Sequence, residues 1–319
     1  MKETTVRVAV VQAGSVPFDS RSGVDKAIGI LAEAAGMGAK VVVFPEAFIT
    51  GYPKGLNFGL VVGARDPAGR EEFRLYMDAA IDVPGPETER LGEAALVHDC
   101  YLVIGVIERE GGTCYCTILF FAPDGLLVGK HRKLMPTALE RMIWGFGDGS
   151  TLTVVDSPYG RIGSVICWEN YMPLLRMAMY SKQVALYCAP TADDRDTWLP
   201  SMQHIALEGR CFVLTACQFI RKREFPTTVR VLLGSSGDEV LMRGGSAIIS
   251  PLGRVLAGPC FDSETILTAD LDLNDLGRAK FDFDVAGHYA RPDVFQLIVN
   301  EAPMVPVLTK HKKSDSETL

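Results

Sequence analysis

The chain of 319 residues is short of several features that mark whole classes of protein. None of its eight cysteines forms a Cys-x-x-Cys pair, and most sit in apolar runs such as 211–217. They read as small buried hydrophobes, which excludes a disulfide framework or a cysteine-rich metal site. No apolar stretch approaches the ~18 residues of a membrane span. No long basic block offsets the acidic balance: 32 Lys and Arg against 39 Asp and Glu give a net charge of −7. Nucleic acid and anionic membrane are thereby excluded as main partners. The segment Met1–Thr5 lacks the apolar core and small-residue cleavage site of a signal peptide, so a cytoplasmic location is expected. No Pro/Ser-rich linker and no short repeat interrupts residues 6 to about 300. One domain over residues 1–305 is expected, followed by a polar, flexible tail over 306–319 that holds the basic cluster Lys310–Lys313.

What is present is an alternation of short apolar runs and helix-period segments. Val6–Ala13, Val41–Phe44, Tyr101–Val106, Arg161–Cys167, Val184–Ala189, Cys211–Cys217, Ser246–Ser250 and Thr265–Leu271 read as strands. The run Val41–Phe44 is apolar throughout, as in a strand covered on both faces. Helical spacing joins Val24, Ala27, Ile28, Leu31 and Ala35 until Gly36 and Gly38 stop it. Further helices are expected over Glu87–His98, Met172–Lys182 and Leu199–Gly209. Pro123-Asp124-Gly125 and Pro251-Leu252-Gly253 mark hairpins. Hairpins within a strand–helix alternation predict an α/β domain with mixed sheets under helices.

Three segments carry candidate chemistry. Cys167 ends an apolar strand just ahead of a helix, where free N–H groups and positive potential favour a thiolate; a structural cysteine is the competing role. Glu46 follows the buried run 41–45, and an unpaired carboxylate at such a strand end is costly unless it has a task. A surface carboxylate in a turn is its alternative. In Gly129–Pro136 a basic run abuts Leu134 and Met135, so one cation is expected to turn inward. Spacing alone does not choose among Lys130, Arg132 and Lys133. The five histidines carry no local cue that would make one of them the base of a cysteine hydrolase.

At these segments the sequence resembles the nitrilase superfamily of carbon–nitrogen hydrolases, and within it the nitrilases of plants and bacteria. The resemblance rests on Phe44-Pro45-Glu46-Ala47-Phe48, His131-Arg132-Lys133-Leu134 and Cys167-Trp168-Glu169-Asn170, in that order. Similarity extends from Val6 to about Phe295 and includes Thr50-Gly51-Tyr52-Pro53, residues 189–193, 204–209 and 287–292. It implies an α-β-β-α four-layer sandwich and a triad of Glu46 as general base, Lys133 as catalytic lysine and Cys167 as nucleophile. Glu140 matches a further glutamate that supports the lysine; a solvated carboxylate is its alternative. Tyr52, Trp168, Thr191 and Trp198 are candidates for the substrate pocket, with packing as the competing role.

The resemblance further implies hydrolysis of an organic nitrile to a carboxylic acid and ammonia through a thioimidate and a thioester, with neither metal nor organic cofactor. It implies homo-oligomers as well, dimers formed across a helical outer face and extending in similar members to spirals or filaments. Alternatives within enzymes are an amidase of the same superfamily and a cyanide-hydrolysing enzyme. From another class comes a non-catalytic assembly module, disfavoured because all three triad residues are present.

Overall fold

The computed structural model describes residues 4–307, so residues 308–319 of the expected tail, with its basic cluster, lie outside the described residues. Strand β1 (Thr5–Gln12) shows how the layers arise. Side chains alternate across a strand, and here Val6, Val8 and Val10 face one core while Ala9 and Val11 face another. The first core fills the space between two sheets. The second lies between the first sheet and helices α1 (Ser20–Gly36) and α3 (Pro86–Val97).

The first sheet has the order β13-β1-β2-β3-β4-β5, where β2 is Val41–Val43, β3 Tyr101–Glu110, β4 Thr113–Phe121, β5 Leu127–Arg132 and β13 Thr265–Asp272. Strands β1, β2 and β3 are parallel and the remaining pairings antiparallel. The second sheet runs β10-β11-β9-β8-β7-β6, with β12 paired to β11. Its parallel centre is β7 (Arg161–Ser164), β8 (Val184–Cys188) and β9 (Phe212–Thr215). Around it lie β6 (Val154–Val155), β10 (Phe219–Arg221), β11 (Val240–Ile249) and β12 (Val255–Phe261). A third core joins this sheet to α4 (Pro173–Ser181) and α5 (Trp198–Gly209). Three apolar cores between four layers make the α-β-β-α sandwich.

Both expected hairpin turns form, with Gly125 and Gly253 at positive φ, and α1 stops at Gly36 with Gly38 at φ 88°. Two α-helices fall outside the sequence reading, α2 (Pro67–Ala79) and the terminal α6 (Asn274–Ala279), as do the short strands β6 and β10. In α2 the buried positions are Gly69, Glu72, Tyr76 and Ala79. Its buried carboxylate Glu72 takes Arg230 as partner, and this mixed face blurs the helical signal. No described helix is long and apolar enough to cross a membrane.

Candidate active site

Four strand ends converge on one region. Glu46 follows β2, Lys133 follows β5, Cys167 follows β7 and Thr191 follows β8. Open α/β sheets place reactive groups at such strand ends because the backbone leaves the ladder there.

The basic run is sorted by the pleat of β5. Lys130 and Arg132 turn to one face, where both reach Glu108 at 2.6 Å. His131 and Lys133 turn to the other and are buried. Lys133 is anchored by its N–H, which donates to Cys116 O at 2.8 Å. Its Nζ reaches Glu46 Oε1 at 2.6 Å and Glu140 Oε2 at 2.8 Å. The inward cation left open by spacing is therefore Lys133.

Glu46 is fully buried. Its Oε1 also accepts from Cys116 Sγ at 3.5 Å, its Oε2 has no hydrogen-bond partner among the described residues, and its backbone C=O accepts from Gln218 Nε2 at 2.9 Å. Gly105 on β3 lies directly beneath: a Cβ there would stand 2.3 Å from Pro45 O and 2.5 Å from Ala47 N. Only a residue without a side chain lets the Glu46 turn pack this closely. Burial pushes the Glu46 carboxyl above its ordinary value, and Lys133 only partly offsets this. For Lys133, burial acts to remove the proton, but Glu46, Cys167 and Glu140 outweigh it and hold the ammonium well above the usual lysine range.

Glu140 is the third residue of a 3-10 turn, Ala138–Met142, capped by Thr137. Its Oε2 accepts from Thr137 N at 2.6 Å as well as from Lys133, and its Oε1 accepts from Tyr52 Oη at 2.6 Å. It is buried rather than solvated.

Cys167 departs from the sequence reading in one respect. Strand β7 ends at Ser164, and Cys167 opens a 3-10 turn, Cys167–Tyr171, six residues before α4 starts. Its φ of 52° is left-handed, a strained conformation for a residue with a side chain, held by Cys167 N donating to Pro190 O at 2.8 Å. The expected lowering of the thiol by a helix end does not occur. Burial, followed by the field of Glu46, pushes the thiol up to about 12; Lys133 and the Thr191 hydroxyl, which donates to Sγ at 3.2 Å, act the other way. The direction of this shift keeps the sulfur a thiol at neutral pH.

A cavity of about 260 Å³ opens onto Cys167, lined also by Tyr52, Lys54, Glu140, Trp168 and Asp193. Trp168 is half exposed, donates from Nε1 to Asp193 Oδ2 at 2.8 Å, and is covered by the Arg195 guanidinium. Tyr52 and Trp168 therefore stand on the cavity wall, while Thr191 lies behind the sulfur. Trp198 is placed elsewhere: it is buried in the core beneath α5, donates from Nε1 to Thr215 Oγ1 at 2.8 Å, and does not line this cavity. An indole whose N–H has a partner behind the sheet is a packing residue.

Sequence reasoning missed Glu169 and His131. Glu169 was within a recognised motif, and the period-2 relation of His131 to Lys133 was the available signal for the histidine.

The family model of carbon–nitrogen hydrolases matches residues 7–281. An aliphatic nitrilase of Sinorhizobium fredii (strain HH103) is 62% identical over 96% of this chain and 99% of its own length. A bifunctional nitrilase/nitrile hydratase of Lupinus angustifolius is 58% identical over 95% of this chain and 88% of its own. Among solved structures, the C. elegans NitFhit protein superposes with a TM-score of 0.72 at 22% identity, over 96% of this chain and 70% of that one, a likeness of fold. With the match spanning both sheets and every segment of the site, the chain belongs to the carbon–nitrogen hydrolase family.

Proposed function

We propose that this hydrolase is a nitrilase, with Cys167 as nucleophile, Glu46 as general base and Lys133 as the fixed cation. The observation that carries the reading is a buried Cys167 at a cavity it shares with Glu140, beside a buried Lys133 whose Nζ stands 2.6 Å from Glu46 Oε1 and 2.8 Å from Glu140 Oε2, with Glu46 Oε2 left unpartnered among the described residues. Glu46 Oε2 is the seat for the thiol proton, and its raised affinity for protons suits it to a weakly acidic donor. As Sγ bonds to the nitrile carbon, electrons move to nitrogen, which collects negative charge beside Lys133 and takes the proton from Glu46. The thioimidate adds water, the tetrahedral adduct expels ammonia, and a second water cleaves the thioester to acid and free thiol. No step needs a metal or organic cofactor. Glu140 holds Lys133 between two carboxylates, and Tyr52 orients Glu140 through its hydroxyl.

The relatives named nitrilases, 54–62% identical to this chain, favour a nitrile over an amide as substrate. Relatives named bifunctional nitrilase/nitrile hydratase favour a second product. In the tetrahedral adduct, expulsion of the thiolate instead of ammonia releases an amide. A single domain over residues 1–305 working in the cytoplasm as a homo-oligomer fits eight free cysteines and the exposed Leu174 and Leu207 on the outer helices.

The test is ammonia, acid and amide release from benzonitrile, phenylacetonitrile, a short aliphatic nitrile, cyanide and the matching amides, with intact mass. Acid and ammonia from a nitrile, with a covalent adduct that disappears in Cys167→Ala, are expected. Turnover of amides alone would overturn the nitrilase reading in favour of an amidase.

A further inference from the structure

We propose that His131 and Glu169 form a buried charged pair that positions the lysine and the nucleophile relative to each other. One carboxylate ties the two segments together. Glu169 Oε1 accepts from Leu134 N, the residue after Lys133, at 2.6 Å. Glu169 Oε2 accepts from Ile166 N, the residue before Cys167, also at 2.6 Å. The N–H groups flanking both reactive side chains thus converge on a single side chain, which touches neither of them.

His131 holds that carboxylate in place. Its Nε2 stands 2.9 Å from Glu169 Oε2 and its Nδ1 2.9 Å from Thr151 O. A carbonyl oxygen only accepts, so Nδ1 carries a hydrogen. The other hydrogen bonds to Glu169 come from the backbone N–H groups of Leu134 and Ile166, the donors a carboxylate takes, and the proposed charged pair places a hydrogen on Nε2 as well. The pair then sets an imidazolium beside a carboxylate, with both side chains fully buried. Burial acts against its charge, but the field and hydrogen bond of Glu169 outweigh this and hold the imidazole above its ordinary value.

Tyr187 of β8, which feels the field of Glu169, is kept neutral by burial, and Arg176, which also acts on Tyr187, is engaged by Glu208. Asp148, at the head of the turn carrying Thr151, is occupied by Ser150 and the Met304 N–H. The charge of His131 therefore depends on Glu169. Because its affinity for protons is raised in the fold, the pair is intact below the ordinary histidine range. It is lost as pH rises through the elevated value.

The inference rests on the triad reading, so its test has arms with and without a nitrile. Glu169→Gln keeps size and removes charge. It is expected to lower kcat about 100-fold with KM within about three-fold, since neither residue lines the cavity. His131→Gln removes the titrating group, and the alkaline fall in kcat should move to higher pH. Without substrate, nitrogen–proton NMR of the imidazoles, assigned through His131→Gln, should show His131 doubly protonated at neutral pH in the parent and neutral in Glu169→Gln. Iodoacetamide labelling of Cys167 should slow about ten-fold in Glu169→Gln. A neutral His131 in the parent, or a folded Glu169→Gln with kcat and labelling within about two-fold of the parent, would overturn the pair's role. If Glu169→Gln fails to fold, the parent spectrum and the His131→Gln profile decide. A parent inactive on every nitrile yet showing the imidazolium and the labelling effect would sink the nitrilase reading and leave this one standing.

Discussion

Two buried carboxylates on opposite faces of the β3–β4–β5 ladder have opposite fates. On the outer face, Glu108 receives Arg132 on both oxygens, Lys130 at 2.6 Å and the Thr117 hydroxyl at 2.9 Å. Burial pushes its carboxyl up, yet the hydrogen bonds from Arg132 and Lys130 outweigh this and leave it below the ordinary value. On the inner face, Glu46 shares one lysine with Glu140, keeps one oxygen unpartnered, and sits above the ordinary value. The same chemical group is a structural anion where donors saturate it, and in the proposed mechanism a proton acceptor where they do not. A surplus of donors at Glu108 and a shortage at Glu46 separate stability from reactivity across one strand's thickness.

The largest effect should come from the inner face. Glu46→Gln removes the proposed proton acceptor and should lower kcat by about 10²–10⁴-fold with little loss of thermal stability, measured by steady-state turnover beside a thermal melt. Equal losses of activity in Glu46→Gln and Glu108→Gln would break the comparison.

Gly105→Ala sharpens it by displacing Glu46 without changing its chemistry. The added methyl meets Pro45 O and Ala47 N at 2.3 and 2.5 Å. We expect kcat to fall about ten-fold or more and stability by about 1–3 kcal/mol, read from the same two assays.

On the outer face Glu108→Gln should leave kcat within about two-fold and lower stability by about 1–3 kcal/mol. Its stabilising contribution is fully present above the ordinary carboxylate value of 4.5 and disappears as pH falls through the depressed folded value. Melting temperature should therefore drop less steeply on acidification in Glu108→Gln than in the parent. Identical acid slopes would show that Glu108 is not the anion holding the outer face.

Apolar periodicity and turn residues were enough to place β1, β2, α1, the two hairpins and the parallel strands of each sheet, because burial of one face leaves its period in the sequence. Helix α2 escaped because its buried face includes Glu72, whose partner Arg230 is 158 positions away. Glu46, Lys133, Cys167 and Glu140 were named from motifs, and the structure brings all four together. Trp198 was misplaced because an aromatic near a strand end can turn to either side of the sheet.

What the sequence determined by itself was which groups are present and at which strand ends they stand. Among Lys130, His131, Arg132 and Lys133 it gave four bases in a row and no direction. Pairing of β5 with β4, fixed through Thr117–Arg132 and Ile118–His131, decided that the even-numbered pair faces Glu108 and the odd-numbered pair faces the site. Likewise only the fold made the Cys167 thiol hard to ionise, because the neighbouring carboxylate that joins burial in pushing it up, Glu46, comes from the first sheet while Cys167 stands on the second. A side chain's chemistry is written locally, but its field is set by whatever the opposite sheet places against it.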